Sequence, residues 1–513
     1  MSNYGSVSPP LKLTKAERDL LQSDRPGYGS RTKFEVAFNL VNATVGAGII
    51  GLPFAISHAG FVTGIGASIV VALLAQLGLY MMVVAGQRVG IYKFALLVEY
   101  LMGRPGYHFL NFLICVQAGG GAVSYFILLG DSLPVLFERY LPQYTLLADR
   151  SFIIVFTGMT CIFPLCLSRS IGSLARWSIL SVLCLPIILI TILVRAPAYI
   201  PPEPVPLEWI GSDVFGALGI MAFAFTCHQV AFNNYLTLED QSTTSWKFTT
   251  VLSTGMSWVI SMTFAIIGYI CFGKNVQSNL FMNFASDDPL INVGRFALSF
   301  SMILTIPVAI FPTREAIQKS LGFETATKQP SNTQHYLVTF FLFVFIIGLS
   351  ISIRSLGIVY ALVGGFSATT LANILPATAY FVTRRVYLKK HEEEEDQQQQ
   401  KGGNYYPSNT MNNNMLFPTL TGSTTLTPDE NDLKSPLLWE TQSYSSSSRA
   451  TAIFDDDVST VDGDAYLNNV ETQDYSTNSS LAPHWTLDIA AGLLICWGFV
   501  VMFFSISSTL KGQ

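Results

Sequence analysis

Two apolar stretches of this 513-residue chain carry side chains for which a plain membrane helix has no use. One reads FNLVNATVGAGIIGLPFA, with Asn39, Asn42, Thr44, Gly46, Gly48, Gly51 and Pro53 packed into its middle. The other reads FGALGIMAFAFTCHQVAFNNY, with Thr226, Cys227, His228, Gln229, Asn233 and Asn234 in its second half. Glycines and amides gain nothing in hydrocarbon unless they pack closely or line a cavity, since unsatisfied backbone there is strongly unfavourable. Unwinding at these residues would expose free N–H and C=O groups near the bilayer midplane. That chemistry suits a zwitterion: a half-helix N-terminus attracts a carboxylate, and unwound carbonyls accept hydrogen bonds from an ammonium or coordinate a cation. The small residues of the first stretch also fit simple helix packing. Recurrence of the pattern in the second stretch favours broken helices.

The elements that must hold these stretches are membrane helices. Half of the residues are hydrophobic and only 12% are charged, against about 25% charged in soluble proteins. Runs of about 20 apolar residues, enough to cross a 30 Å hydrocarbon core, are expected at 34–57, 61–86, 106–137, 152–169, 175–195, 213–237, 247–272, 289–311, 335–353, 356–382 and 486–508. The fold class is therefore an all-α polytopic membrane protein of about eleven transmembrane helices. Long continuous runs exclude a barrel, whose strands are about ten residues of alternating polarity. The interrupted stretches are spans one and six, at corresponding positions of two five-helix halves, as an inverted repeat requires.

Alternating the spans from a cytoplasmic N-terminus puts 22 of the 29 Lys and Arg on the cytoplasmic side, as the positive-inside rule favours. The expected organisation is a cytoplasmic tail at 1–33, a ten-helix core at 34–383, a linker at 384–483, and an eleventh helix with a short luminal or extracellular tail at 484–513. The first thirty residues have no short apolar core of the signal-peptide kind. Residues 391–483 hold sixteen acids and three bases, with EEEED, QQQQ, NNN, SSSS and DDD runs. That composition buries too little apolar surface to order itself, and the segment reads as a spacer or a regulatory tether. Regulatory or sorting partners would act through Ser445 to Ser448 or the dileucines Leu20-Leu21 and Leu437-Leu438. The net charge of −5 therefore belongs to the linker, and the remaining chain is basic where anionic membrane lipid can meet it. Nucleic acid is not an expected partner. All seven cysteines fall inside predicted spans and read as small buried apolar residues.

Four segments in order, NLVNATVGAGIIGLPFAISHAGF, AVSYFILLGDSLP, FAFTCH and LTIPVAIFPTR, resemble the amino acid/auxin permease family, and within it the sodium-coupled neutral amino acid transporters and the fungal vacuolar amino acid transporters. The resemblance covers about residues 34–383 and the last span. It implies a LeuT-like fold of five plus five inverted helices plus one, and secondary active transport of amino acids, chiefly neutral, by alternating access. It matches Asn42 and Thr305 to positions that line the cation site in sodium-coupled members, and Ser301, one turn from Thr305, could add an oxygen. Ser and Thr in membrane helices also commonly bond their own backbone at i−4. The substrate site would be Val45, Gly46, Ala47 and Gly48 facing Phe223, Ala224, Phe225 and Thr226, with Phe225 and Tyr125 as side-chain walls. No cofactor is implied beyond a sodium ion or proton as coupling ion, and no other metal. Fungal vacuolar relatives imply a vacuolar or lysosome-like membrane, with the plasma membrane as the alternative.

Ionisable groups within the spans are functional suspects. His228 adjoins the proposed break and titrates near neutral pH; it could carry a proton or, neutral, bond a backbone carbonyl. Asp131 in GDSLP could serve as a gate. Glu35 suits a helix N-terminus. Glu239 and Asp240 close the sixth span and could pair with a gating base. An enzyme is not expected: the six histidines form no HxxxH or HExxH pair, and neither a phosphate-binding loop nor a nucleophile elbow occurs. The alternative to a carrier is a non-transporting amino-acid sensor that signals through the linker.

Overall fold

Thr32 starts the first helix with a reciprocal cap. Its backbone N–H donates to Glu35 Oε2 at 2.8 Å, and the Glu35 N–H donates to Thr32 Oγ1 at 3.4 Å, so Glu35 has the capping role that its position suggested. The computed structural model describes residues 26–46, 48–169, 171–324, 329–402 and 484–511. Ala47, both dileucines, Ser445 to Ser448 and nearly all of the acidic linker lie outside them. Contacts divide the chain into two units, Met1–Leu388 with Thr451–Gln513, and Lys389–Ala450.

The first unit is a bundle of apolar helices. Eight are long and apolar enough to cross a membrane, or nine when the bent pair Lys33–Thr44 and Gly48–Ala59 counts as one span. The expected fourth span is a shorter apolar helix, Arg150–Cys166, and the fifth is the 25-residue helix Ile171–Arg195. Each of the eleven expected segments is thus helical among the described residues. The third span differs most. It runs Phe94–Tyr140 and bends at Gly103, whose φ of 67° needs a glycine. Its first turns were missed because Glu99 and Arg104 interrupt the apolar run. The eighth runs Pro289–Ser320, beyond the expected 311, and carries Arg314, Glu315 and Lys319 in its last turns. Cys161 and Cys496 are exposed rather than buried; they lie on outward helix faces, where the apolar solvent accepts a thiol as readily as the interior does.

Two spans are interrupted where the sequence indicated. The halves of the first meet at 65°, with Val45 at φ −80°, ψ 77° ending the first half. The sixth stops at Ala224, passes through non-helical Phe225 and Cys227, makes a short turn at His228–Val230 and resumes as Ala231–Thr237. Close glycine contacts hold the second half of span one against its neighbours: a Cβ on Gly48 would lie 2.9 Å from Ala224 Cα of span six, and one on Gly51 would lie 2.8 Å from the Tyr360 ring of span ten. Tyr360 in turn stacks on Phe223 at 4.7 Å. The eleventh span packs on the same element, with Ser508 donating to Asp213 Oδ1, the N-cap of span six, at 2.7 Å.

A strap ties the start of span one to the end of span six. The Ser30 and Arg31 N–H groups donate to the Thr237 carbonyl at 3.1 and 2.9 Å, and the Glu239 N–H donates to Arg31 O at 2.9 Å. These bonds form a parallel bridge between Arg31 and Leu238. Lys33 Nζ lies 3.5 Å from Asp240 and so supplies the basic partner that the sequence did not identify. The Ser245 hydroxyl, followed by Ser242 and Lys33, holds the Asp240 carboxyl below the usual carboxylate range. Its contribution to the strap is therefore complete above its ordinary pKa, about 3.9, and is lost as pH falls through the lowered folded value.

Of the second unit, the described part continues the helix Leu375–Gly402. The segment expected to be irregular from 391 is thus helical as far as Gly402, where an i,i+4 pair, Lys389 to Glu393 at 3.7 Å, supports it.

A Cβ on Gly29 would lie 1.7 Å from the Leu238 carbonyl oxygen, whereas one on Gly255 meets nothing within 4 Å. Gly29→Val is therefore expected to lose about 1–3 kcal/mol of stability in thermal unfolding of the purified protein, with Gly255→Ala close to wild type. Equal midpoints for the two would show that the strap contributes nothing.

Candidate functional site

A cavity of about 350 Å³ reaches the breaks of both interrupted spans. Among its lining residues are Gly46, Gly48, Phe223, Ala224, Thr226 and Tyr125, six of the nine residues expected at the substrate site. Val45 and Phe225 are buried and are not among the lining residues, and Ala47 is outside the described residues. Phe223, rather than Phe225, lines the cavity. The reason is local: Phe225 ends its half-helix at φ −101°, ψ 7°, which turns it into the core. The three consecutive glycines of the third span, Gly119 to Gly121, differ in role. A Cβ on Gly120 would lie 2.3 Å from Val363, one on Gly119 would touch Thr313 at 3.6 Å, and Gly121 faces open space and lines the cavity.

The backbone at the breaks is arranged for polar recognition. Helix Gly48–Ala59 begins at the cavity, so its N-terminal N–H groups and positive dipole end face the space. Half-helices Lys33–Thr44 and Val214–Ala224 end there and present the negative ends of their dipoles. Thr44 and Thr226 donate back to Leu40 O at 2.8 Å and to Ala222 O at 2.6 Å, leaving their oxygens as acceptors beside the breaks. Charged lining residues, Lys93, Glu315 and Lys319, come from helix ends on the face that carries the strap.

Ser301 and Thr305 lie together as expected, but their partner is one that sequence reasoning missed. Ser181 Oγ on the fifth span lies 2.9 Å from Ser301 Oγ and 2.6 Å from Thr305 Oγ1. Thr305 donates to Ser301 O at 2.8 Å, and Ser301 donates to Ser181 O at 3.2 Å. With its own proton so used, Thr305 accepts from Ser181. The three hydroxyl protons are all placed, and the oxygens keep lone pairs for a small cation. Asn42 is exposed on helix Lys33–Thr44, and the hydrogen bonds of the cluster run to Ser181 rather than to it. No sequence signal singles out Ser181, one serine in an ordinary apolar run.

His228 and Asp131 take different positions. His228 is fully buried, and its Nε2–H donates to the Ala75 carbonyl of the second span at 3.1 Å. Since a carbonyl only accepts, Nε2 is the nitrogen that carries the proton of this bond, and buried Nδ1 has no hydrogen-bond partner among the described residues. His228 is not among the residues that line the cavity. Asp131 accepts from Arg150 Nε at 3.2 Å and from Asn279 Nδ2 at 3.3 Å, joining the third span, the fourth span and the loop before the eighth. This junction lies at the face opposite the strap. Sequence reasoning also missed Asn111 and Gln117 in the lining, where Gln229 and Asn233 of the second interrupted stretch also lie. The two amides of span three satisfy the same criterion, amides in an apolar span, that selected spans one and six.

A helical bundle with two spans broken at one cavity defines the chain as a polytopic membrane carrier rather than an enzyme. It belongs to the transmembrane amino acid transporter protein family, whose model matches residues 29–400. The chain is 32% identical over 375 residues to the Danio rerio protein named "Putative sodium-coupled neutral amino acid transporter 11", covering 71% of this chain and 83% of that protein. It is 27% identical over 393 residues to vacuolar amino acid transporter 2 of Saccharomyces cerevisiae, covering 72% and 79%. Among solved structures it is similar to Mhp1, a nucleobase-cation-symport-1 family transporter in a closed conformation with bromovinylhydantoin bound, at 13% identity and a TM-score of 0.48, over 71% of this chain and 81% of that one.

Because Ser181 donates to Thr305, Ser181→Ala should lower stability by about 0.5–1.5 kcal/mol. Combined with Thr305→Val, the loss should fall short of the sum of the single losses, because both remove the same bond. Additive losses in thermal unfolding would contradict the network.

Proposed function

We propose that the protein is a secondary active carrier that moves neutral amino acids by alternating access, driven by a sodium or proton gradient. The observation that carries this reading is the cavity at which the N-terminal end of Gly48–Ala59 and the C-terminal ends of Lys33–Thr44 and Val214–Ala224 converge. The amino acid carboxylate would take the N-terminal end and the ammonium the carbonyl ends. Phe223 and Tyr125 give the side chain an uncharged wall, which supports neutral substrates. Ser301, Thr305 and Ser181 form the coupling-ion cluster, with Asn42 brought in on loading; His228 is the alternative carrier of a proton.

The face that carries the strap is the cytoplasmic one in this reading, following the distribution of Lys and Arg. The cavity reaches Lys93 and Lys319 on that face, while Asp131, Arg150 and Asn279 close the other face as a gate. Rocking would exchange the two conditions about the fixed site. The relative in Saccharomyces cerevisiae is named vacuolar, and a vacuolar or lysosome-like membrane is the location we favour over the plasma membrane.

Counterflow of each of the twenty labelled amino acids in reconstituted vesicles tests the proposal, and failure of all twenty to move would overturn it. Under imposed sodium and proton gradients, Thr305→Ala and Asn42→Ala are expected to raise the half-saturating concentration of the coupling ion about tenfold, as loss of about 1.4 kcal/mol of ion binding does. Unchanged sodium and pH responses would remove both residues from the ion site.

A further inference from the structure

The cavity is longer than one amino acid requires. Its lining on the third span extends from Leu110 to Tyr125, and on the eighth from Ala309 to Lys319. At 1.5 Å per residue these are about 22 Å and about 15 Å of helix, whereas one extended residue spans about 3.5 Å. The breaks occupy one end. The other end has a different character, with Lys93, Glu315, Lys319 and Asn111 in its wall.

Glu315 Oε1 and Lys319 Nζ lie 2.7 Å apart, and their side chains are only 18% and 9% exposed. Glu followed by Lys at i,i+4 is ordinary on a wetted helix face, whereas this pair lies largely buried in the cavity wall. Asn111 is 5% exposed, and its Nδ2 has no hydrogen-bond partner among the described residues; a buried donor left so is unfavourable. Gln117, two turns farther in, has a buried Oε1 in the same condition. Donors (Lys319, Lys93, the Asn111 amide) and acceptors (Glu315, the Gln117 carbonyl) therefore line one short length of cavity.

The geometry points to a second amino-acid subsite at the strap-side end of the cavity, in which a zwitterionic α-amino acid places its carboxylate on Asn111 Nδ2 and Lys319 and its ammonium on Glu315 and Gln117 Oε1. The proposal rests on the transport reading above and deepens it. A substrate leaving the breaks would pause here, its charges matched, before reaching the aqueous face. The two sites differ in kind: backbone dipoles read the head group at the breaks, and side chains read it at the mouth.

The test is equilibrium binding to the full-length protein in lipid nanodiscs, using the tritiated amino acid that gives the largest counterflow. Wild type is expected to bind two molecules per chain. Asn111→Leu, and separately the charge-neutral double variant Glu315→Gln/Lys319→Gln, should bind one at unchanged affinity, the second site being weakened tenfold or more. A wild-type stoichiometry of one or fewer, or two molecules retained in both variants, overturns the subsite. Counterflow that persists with one molecule bound leaves the transport reading standing without the subsite, whereas absence of counterflow overturns the transport reading itself.

Discussion

Everything in this molecule depends on one requirement of the hydrocarbon core: each backbone N–H and C=O must find a partner, because the solvent offers none. Ordinary spans meet it by staying helical. Spans one and six do not, and the groups that they free are affordable only where a cavity and its contents can satisfy them. The break at Val45 and Gly46 and the break at Phe225 to Cys227 therefore imply the cavity that joins them. Neither break makes sense alone.

Close approach is the second requirement. The half-helices must come within reach of a single small molecule, and glycines allow it at several layers. Gly48 meets Ala224, Gly51 meets Tyr360, and a Cβ on Gly364 would lie 1.8 Å from the Gly219 carbonyl oxygen. The eleventh span joins the same stack, since a Cβ on Gly219 would lie 2.3 Å from Ser505 Oγ. These contacts connect the first, sixth, tenth and eleventh spans around the site, and the strap at Arg31 and Leu238 fastens the lower halves of the first and sixth. What moves during transport, on this account, is a fastened body rather than single helices.

Much of this was legible in the sequence because its signals were local. Asn42, Gly46, Gly48, Thr226 and His228 announced the breaks by being wrong for hydrocarbon, and continuous apolar runs located the other spans. Where charges lie inside a helix, hydropathy failed: Glu99 and Arg104 concealed the start of the third span, and Arg314, Glu315 and Lys319 concealed the end of the eighth. Ser181 was invisible for another reason. Its role comes from lying across from Ser301 and Thr305, a pairing set by the packing of two distant helices. Phe225 was expected as a wall, but the lining has Phe223 instead, because the end of the half-helix at Phe225 decides which of the two lies beside the cavity.

The central claim is that the breaks hold the amino acid by its head group, through backbone dipoles. Competition between a transported amino acid and its N-acetyl and methyl-ester derivatives measures this directly, because the derivatives keep the side chain and lose one charge each. The account predicts that neither derivative competes at a hundredfold excess, while free amino acids with altered uncharged side chains do. Competition by both derivatives at the strength of the parent would contradict it.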